Sequence, residues 1–167
     1  MQRLIVGISG ASGTIYGIRL LEVLQGLPLE THLVLTDAAR RVAEIETAYT
    51  AAQIEALADV VHDNDDLATS ISSGSFPVLG MVVAPCSIKS LSAIAHGFTD
   101  SLLVRAADVA GAEPHELPAQ SRIRRMLVEV AIPLRAREAM LVALHLDDDP
   151  LRAIDHIGDA DEAPRRI

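Results

Sequence analysis

Apolar positions in the first two thirds of this chain form short unbroken runs, each followed by small or polar residues. Residues 4–8 have the length of a buried strand, and Gly, Ser and Ala then crowd from Gly7 to Gly13. Apolar side chains recur at Ile15, Ile18, Leu20, Leu21 and Leu24, close to the helical period. The chain therefore opens as strand, glycine turn and helix. That helix is expected to end at Gln25-Gly26, with Pro28 confirming the stop. Residues 31–36 read as a second strand. Residues 37–48 read as a helix, with Arg40 and Arg41 outward and Val42 and Ile45 inward. Thr50-Ala51-Ala52-Gln53 has the form of a capping box and starts a helix through Ala58. Residues 60–62 predict a short strand.

Asp63-Asn64-Asp65-Asp66 and Ser70-Ile71-Ser72-Ser73-Gly74-Ser75 lack a period. They read as a loop that either touches a ligand or simply connects two elements. Residues 79–84 are a buried strand that runs into Pro85-Cys86-Ser87-Ile88-Lys89-Ser90, and residues 91–95 continue as a helix. Residues 100–109 form a helix carrying Arg105. Beyond Gly111 the organisation weakens. Residues 113–118 are loop-like, 126–132 could form a strand, and 134–146 and 151–157 are helical by period.

The two strand–turn–helix units fix the expected architecture. In an open parallel α/β sheet, turns at the carboxyl ends of the strands meet at one crevice. Helix N-termini there offer unpaired N–H groups and partial positive charge, which suits a phosphate. Ser12 can cap the first helix and donate its hydroxyl to a ligand. The glycines at 7, 10 and 13 do not fit the dinucleotide pattern G-x-G-x-x-G.

With 167 residues, the natural reading is one domain spanning 1–167. Only 2% of residues are aromatic, so the core must be built from Ala, Leu, Ile and Val, as in a covered parallel sheet. A mean hydropathy of +0.30 points to apolar surface buried between subunits. A net charge of -9 argues against non-specific nucleic-acid binding. One cysteine, Cys86, rules out an internal disulfide and any multi-cysteine metal site, and fits a reducing cytoplasm. The histidines show no metal spacing. The N-terminus lacks signal-peptide design, and no run is long enough for a membrane helix.

Individual residues leave alternatives open. Asp37 is either a ribose-binding acid past the second strand or a helix cap, with the cap favoured. Cys86 is either a nucleophile or a packed thiol, with packing favoured. Glu46, among apolar neighbours, is either a shifted general acid or base or a half-exposed helix residue.

Several of these motifs resemble one family in register. Arg3-Leu4-Ile5-Val6-Gly7-Ile8-Ser9-Gly10-Ala11-Ser12-Gly13 is similar to the opening of the UbiX-type flavin prenyltransferases. The likeness continues through Thr31-His32-Leu33-Val34-Leu35-Thr36, Glu44-Ile45-Glu46-Thr47, the Ser70–Ser75 stretch, the Pro85–Ser90 turn and Arg105-Ala106-Ala107-Asp108-Val109. The resemblance implies a three-layer, flavodoxin-like α/β fold that binds FMN. It implies transfer of a dimethylallyl group from dimethylallyl monophosphate to reduced FMN, for use by a partner decarboxylase in ubiquinone synthesis or aromatic-acid decarboxylation. It also implies a homo-oligomer, commonly a dodecamer.

By position, Gly10, Ala11 and Ser12 would line the flavin, with the Ser12 hydroxyl near its reactive edge. Thr36 takes the place of a family serine. Ser87, Ile88, Lys89 and Ser90 would hold FMN from the second turn. Glu46 matches an acid that handles protons at the departing phosphate, and Arg105 matches an arginine facing the substrate phosphate. No metal is implied.

The resemblance stops near Val109, and residues 110–167 are atypical. The family lysine falls on Ala112, Val130-Ala131-Ile132-Pro133-Leu134 is the nearest shadow of Arg-Glu-x-Pro-Leu, and no tyrosine follows Tyr49. So abrupt a break is the hypothesis of a shifted reading frame; sequencing the locus and finding the missing motifs in no other frame would sink it. Other readings are an FMN-binding protein without transferase activity and a related flavin-dependent cysteine decarboxylase. The Pro-Cys-Ser-Ile-Lys-Ser turn disfavours the second of these. A nicotinamide oxidoreductase rests only on the first turn and Asp37.

Overall fold

A computed structural model describes residues 2–111 and the backbone of Leu127–Val128. All of these lie within one compact unit, Met1–Ala131. The helices expected at 134–146 and 151–157 and the loop at 113–118 lie outside the described residues.

Five parallel strands stand in the order β3-β2-β1-β4-β5. They are β1 (Gln2–Ile8), β2 (Leu29–Leu35), β3 (Val60–His62), β4 (Gly80–Val83) and β5 (Leu127–Val128). β1 lies in the middle, paired in register with β2 from Gln2↔Leu29 to Ile8↔Leu35, and with β4 from Leu4↔Gly80 to Gly7↔Val83. The chain moves outward from β1 to β3, then returns past β1 to β4. The order therefore reverses between β1 and β4, which is where open α/β sheets carry ligands.

Helices cover both faces. On one face Val6, Ile8, Leu33 and Leu35 pack against α1 (Thr14–Leu24), α2 (Asp37–Glu46) and α3 (Ala51–Glu55). On the other, Ile5, Val34, Met81 and Val83 pack against α5 (Leu102–Gly111), and partly buried residues of α4 (Ile88–His96) join them. The alternation of Ile5 and Val6 between the two cores is the strand period of two. Because both faces are covered, the central strands are apolar on both sides over 4–8, 33–35 and 81–83, while β2 begins with the polar Glu30, Thr31 and His32 after Leu29.

Several boundaries differ from the sequence reading, those of α2, α3 and α4 among them. α2 ends at Glu46, and α3 ends at Glu55 despite its intact Thr50–Gln53 capping box. α4 begins three residues early, at Ile88, because Ser87 caps it. Ile45 does not face inward: it is 83% exposed, since α2 meets the core only through Ala39 and Ala43.

Where β2 pairs with β3 lies a partly buried polar cluster. His32 Nδ1 and His62 Nε2 are 2.9 Å apart, and His32 Nε2 lies 2.8 Å from a Glu30 carboxylate oxygen. Glu30 is held below the usual carboxylate range by His32 and Arg3, so it accepts and His32 Nε2–H donates. The His32 Nδ1–His62 Nε2 contact is one hydrogen bond whose direction follows the tautomers of the two rings. Phe76 meets His32 edge-on, and the Arg3 guanidinium sits 4.7 Å from the Phe76 ring centre.

Burial, then the nearby His32, push His62 below 6.5, while Asp66 opposes them. The folded chain thus keeps His62 neutral where the unfolded chain takes a proton. Stability should be intact above about pH 6.5 and fall as pH drops from there toward the lowered folded value. Urea unfolding at pH 7.5 and 5.5 measures this. His62→Gln should flatten the dependence, and an equal dependence in that variant would remove His62 as its cause.

Candidate functional site

β1 delivers the first turn, Ser9-Gly10-Ala11-Ser12-Gly13. Gly13, at φ 94°, is the N-cap of α1 and provides no side chain to satisfy the helix amides. Ser12 was the expected cap, but its hydroxyl donates to Glu46 instead. The capping group comes from the C-terminal end of α2: Gly13 N–H donates to Glu46 Oε2 at 2.8 Å, and Thr14 N–H also donates to this carboxylate. The backbone of Gly13, then the Ser12 hydroxyl and the Thr14 amide, hold Glu46 below the ordinary carboxylate range against a desolvation penalty. Glu46 is therefore an anion at neutral pH. The α1 N-terminus, expected to meet a ligand phosphate, already holds the protein's own carboxylate.

β4 delivers the second turn. Ser87 caps α4: its Oγ accepts from Ser90 N–H at 3.1 Å, and its O–H donates to Ser90 Oγ at 3.0 Å. The amides of Ile88 and Lys89 stand at the open end of this helix, where an anion is favoured. Ile88 is 71% exposed and Lys89 is exposed. Lys89 also lines an open cavity of about 680 Å³ with Ser92, Phe98 and Asp100. Cys86 is buried, and burial pushes its thiol up to about 11, so it is a packed thiol and not a nucleophile.

β2 is followed by Thr36, whose amide donates to Ile8 O at 3.1 Å and whose Oγ1 accepts from Ala39 N–H at 3.1 Å. Thr36, not Asp37, is thus the cap of α2; Asp37 is exposed in its first turn. A side chain on Gly10 would collide with Ala38, so the first turn packs directly on the start of α2. That contact and the Thr36 bond to Ile8 O tie the first turn to the end of β2.

Ser12 and Glu46 are in hydrogen bond, and the Ser87–Ser90 turn stands at the adjoining strand end. Arg105 bonds elsewhere: its Nε donates to Ser72 O at 3.1 Å and its Nη1 to Asp108 at 3.3 Å. It anchors the Ser70–Ser72 turn to α5. Asn64, read as loop, accepts from Leu102 N–H (2.7 Å) and Leu103 N–H (3.2 Å), and so caps α5. Among the described residues no cluster of three His, Cys, Asp or Glu side chains could hold a metal ion.

The Flavoprotein family model matches residues 1–118. The chain is 62% identical over 110 residues to the flavin prenyltransferase UbiX of Escherichia coli strain K12. That match takes in 65% of this chain and 58% of the relative, so the chain spans little more than half of that protein's length. Among solved structures, a dodecameric FMN-dependent UbiX-like decarboxylase from Escherichia coli O157:H7 superposes with TM-score 0.70 and 34% identity, covering 99% of each chain. AnUbiX (PadA1), solved with FMN and dimethylallyl pyrophosphate, superposes with TM-score 0.69 and 31% identity, covering 95% of this chain and 90% of that one.

Proposed function

This chain belongs to the UbiX-type flavin prenyltransferases, and from that premise we propose that it transfers a dimethylallyl group from dimethylallyl monophosphate to reduced FMN. The observation that supports this most is the pairing of an ionised Glu46 with Ser12 on one turn, beside a turn of hydroxyls and helix amides at the next strand end.

The residues fit FMN. Gly10, packed directly on Ala38, and the small Ala11 keep the first turn low beside a flat ring, and Thr36 and Ser90 have hydroxyl hydrogens to donate. Lys89 and the α4 amides favour the phosphate, because the equivalent place on α1 is filled by Glu46. When bound and reduced, FMN supplies the nucleophilic ring atoms.

The protein's part is positioning and proton handling. Glu46 is poised to accept a proton through the Ser12 hydroxyl and release it to the departing phosphate. Arg105 is assigned to the phosphate of the prenyl donor, a role in which it exchanges its bonds to Ser72 and Asp108. Ile45 and Ile88, exposed at 83% and 71% beside the two turns, suit cover by further copies of the chain in a homo-oligomer, with a dodecamer as the assembly. A partner decarboxylase consuming the product, and a cytoplasmic location, belong to the same reading. Among the described residues no helix is long and apolar enough to cross a membrane.

FMN fluorescence should quench and saturate on titration with the full chain, and Lys89→Ala should weaken that binding about tenfold, the loss of one charged contact. Unquenched FMN at excess protein would overturn the proposal.

A further inference from the structure

We propose that Ser9 is the positioning residue that holds the two turns of this site in register, an inference that rests on the flavin reading for its functional consequence. Ser9 closes β1 and is completely buried. Three of its hydrogen bonds cross the switch point between β1 and β4. Its amide donates to Pro85 O at 3.1 Å, its hydroxyl donates to the same carbonyl at 2.9 Å, and its Oγ accepts from Ser87 N–H at 2.6 Å.

A serine hydroxyl has one hydrogen and two lone pairs. Donation to Pro85 O uses the hydrogen and leaves Oγ to accept from Ser87. A backbone carbonyl and a backbone amide of the second turn are thus satisfied by one side chain of the first. Their separations of 76 and 78 residues along the chain make this a tertiary stitch and not a local turn.

The stitch ends on the residue that caps α4. With its amide tied to Ser9, Ser87 directs its own hydroxyl hydrogen to Ser90 Oγ while accepting from Ser90 N–H. The Ser90 hydroxyl hydrogen is left to donate to a ligand acceptor. On the other side of Ser9, Gly10 is clamped against Ala38. Ser9 therefore ties the first turn to the start of the second and holds their separation.

The test uses the full chain as wild type, Ser9→Ala, Ser9→Cys and the distant core control Ile54→Val. Ser9→Cys hydrogen-bonds weakly and is larger, whereas Ser9→Ala is smaller, so a loss shared by both separates the stitch from a packing defect. Two quantities are read: FMN affinity by quenching, and hydrogen exchange at the Ser87 amide relative to Leu21 in α1. Both Ser9 variants should bind FMN about tenfold or more weakly than the control, and exchange Ser87 about tenfold or more faster, with Leu21 matching the control. FMN affinity within twofold of the control, or an unchanged Ser87 amide, overturns the proposal. A wild-type chain that binds no FMN overturns the flavin reading instead; Ser87 exchange in both Ser9 variants then decides the stitch by itself.

Discussion

Replacing Glu46 with glutamine is expected to slow prenyl transfer about 10²- to 10⁴-fold, the range for losing a positioned acid–base group, while FMN binding stays near wild type. Glutamine keeps a carbonyl oxygen for Gly13 N–H, so α1 remains capped and the first turn keeps its shape. What it loses is the capacity to take a proton. Because Gly13, Ser12 and Thr14 hold the carboxylate low, wild-type activity should persist into acid below the ordinary carboxylate range and fall as pH drops through that lowered value. Single-turnover rates across pH, with FMN affinity measured alongside, check both statements. A glutamine variant within tenfold of wild type would reduce Glu46 to a structural cap.

The second large effect belongs to Gly17→Ala. A Cβ at Gly17 collides with the Ala84 carbonyl oxygen, and it would sit 2.8 Å from Ile8 Cδ1. Alanine is the better helix former by about 1 kcal/mol. Overpacking against backbone costs about 1–3 kcal/mol and occasionally more, so the collision wins. We expect a net loss of about 2 kcal/mol, read as a fall of about 4–8 °C in Tm. Ala84 immediately precedes the Pro85–Ser90 turn, so FMN affinity should fall with it. A variant melting at or above wild type would mean that α1 can lift off the sheet without cost.

These two residues show how much of the site could be read from sequence. Gly17 is visible only as a small residue inside a helical period; its reason is a carbonyl 67 positions away along the chain. Glu46 attracted notice through its apolar neighbours, which would raise a carboxylate's pKa. The structure reverses that sign, because three donors from the start of α1 outweigh burial. The strands were legible through the apolar runs at their carboxyl ends, which covered parallel strands need, and the capping box at Thr50 because its partners are three residues apart.

Ile45 misled because periodicity says which residues share a face, not how much of that face is covered. Asp37 gave way to Thr36 as the cap because adjacent capping residues compete, and the first in extended backbone takes the role. Ser9, buried at a strand end, had no local signal apart from being a hydroxyl in an otherwise apolar run. The His32–His62 contact joins neighbouring strands 30 residues apart, and strand pairing is invisible to a single-sequence period.

The purified chain is incubated anaerobically with reduced FMN and dimethylallyl monophosphate, and the extracted flavin is weighed by mass spectrometry. The account predicts a flavin heavier by one prenyl unit, formed in wild type and largely lost in Glu46→Gln. Bound FMN recovered at its original mass would contradict transferase activity and leave a flavin-binding protein.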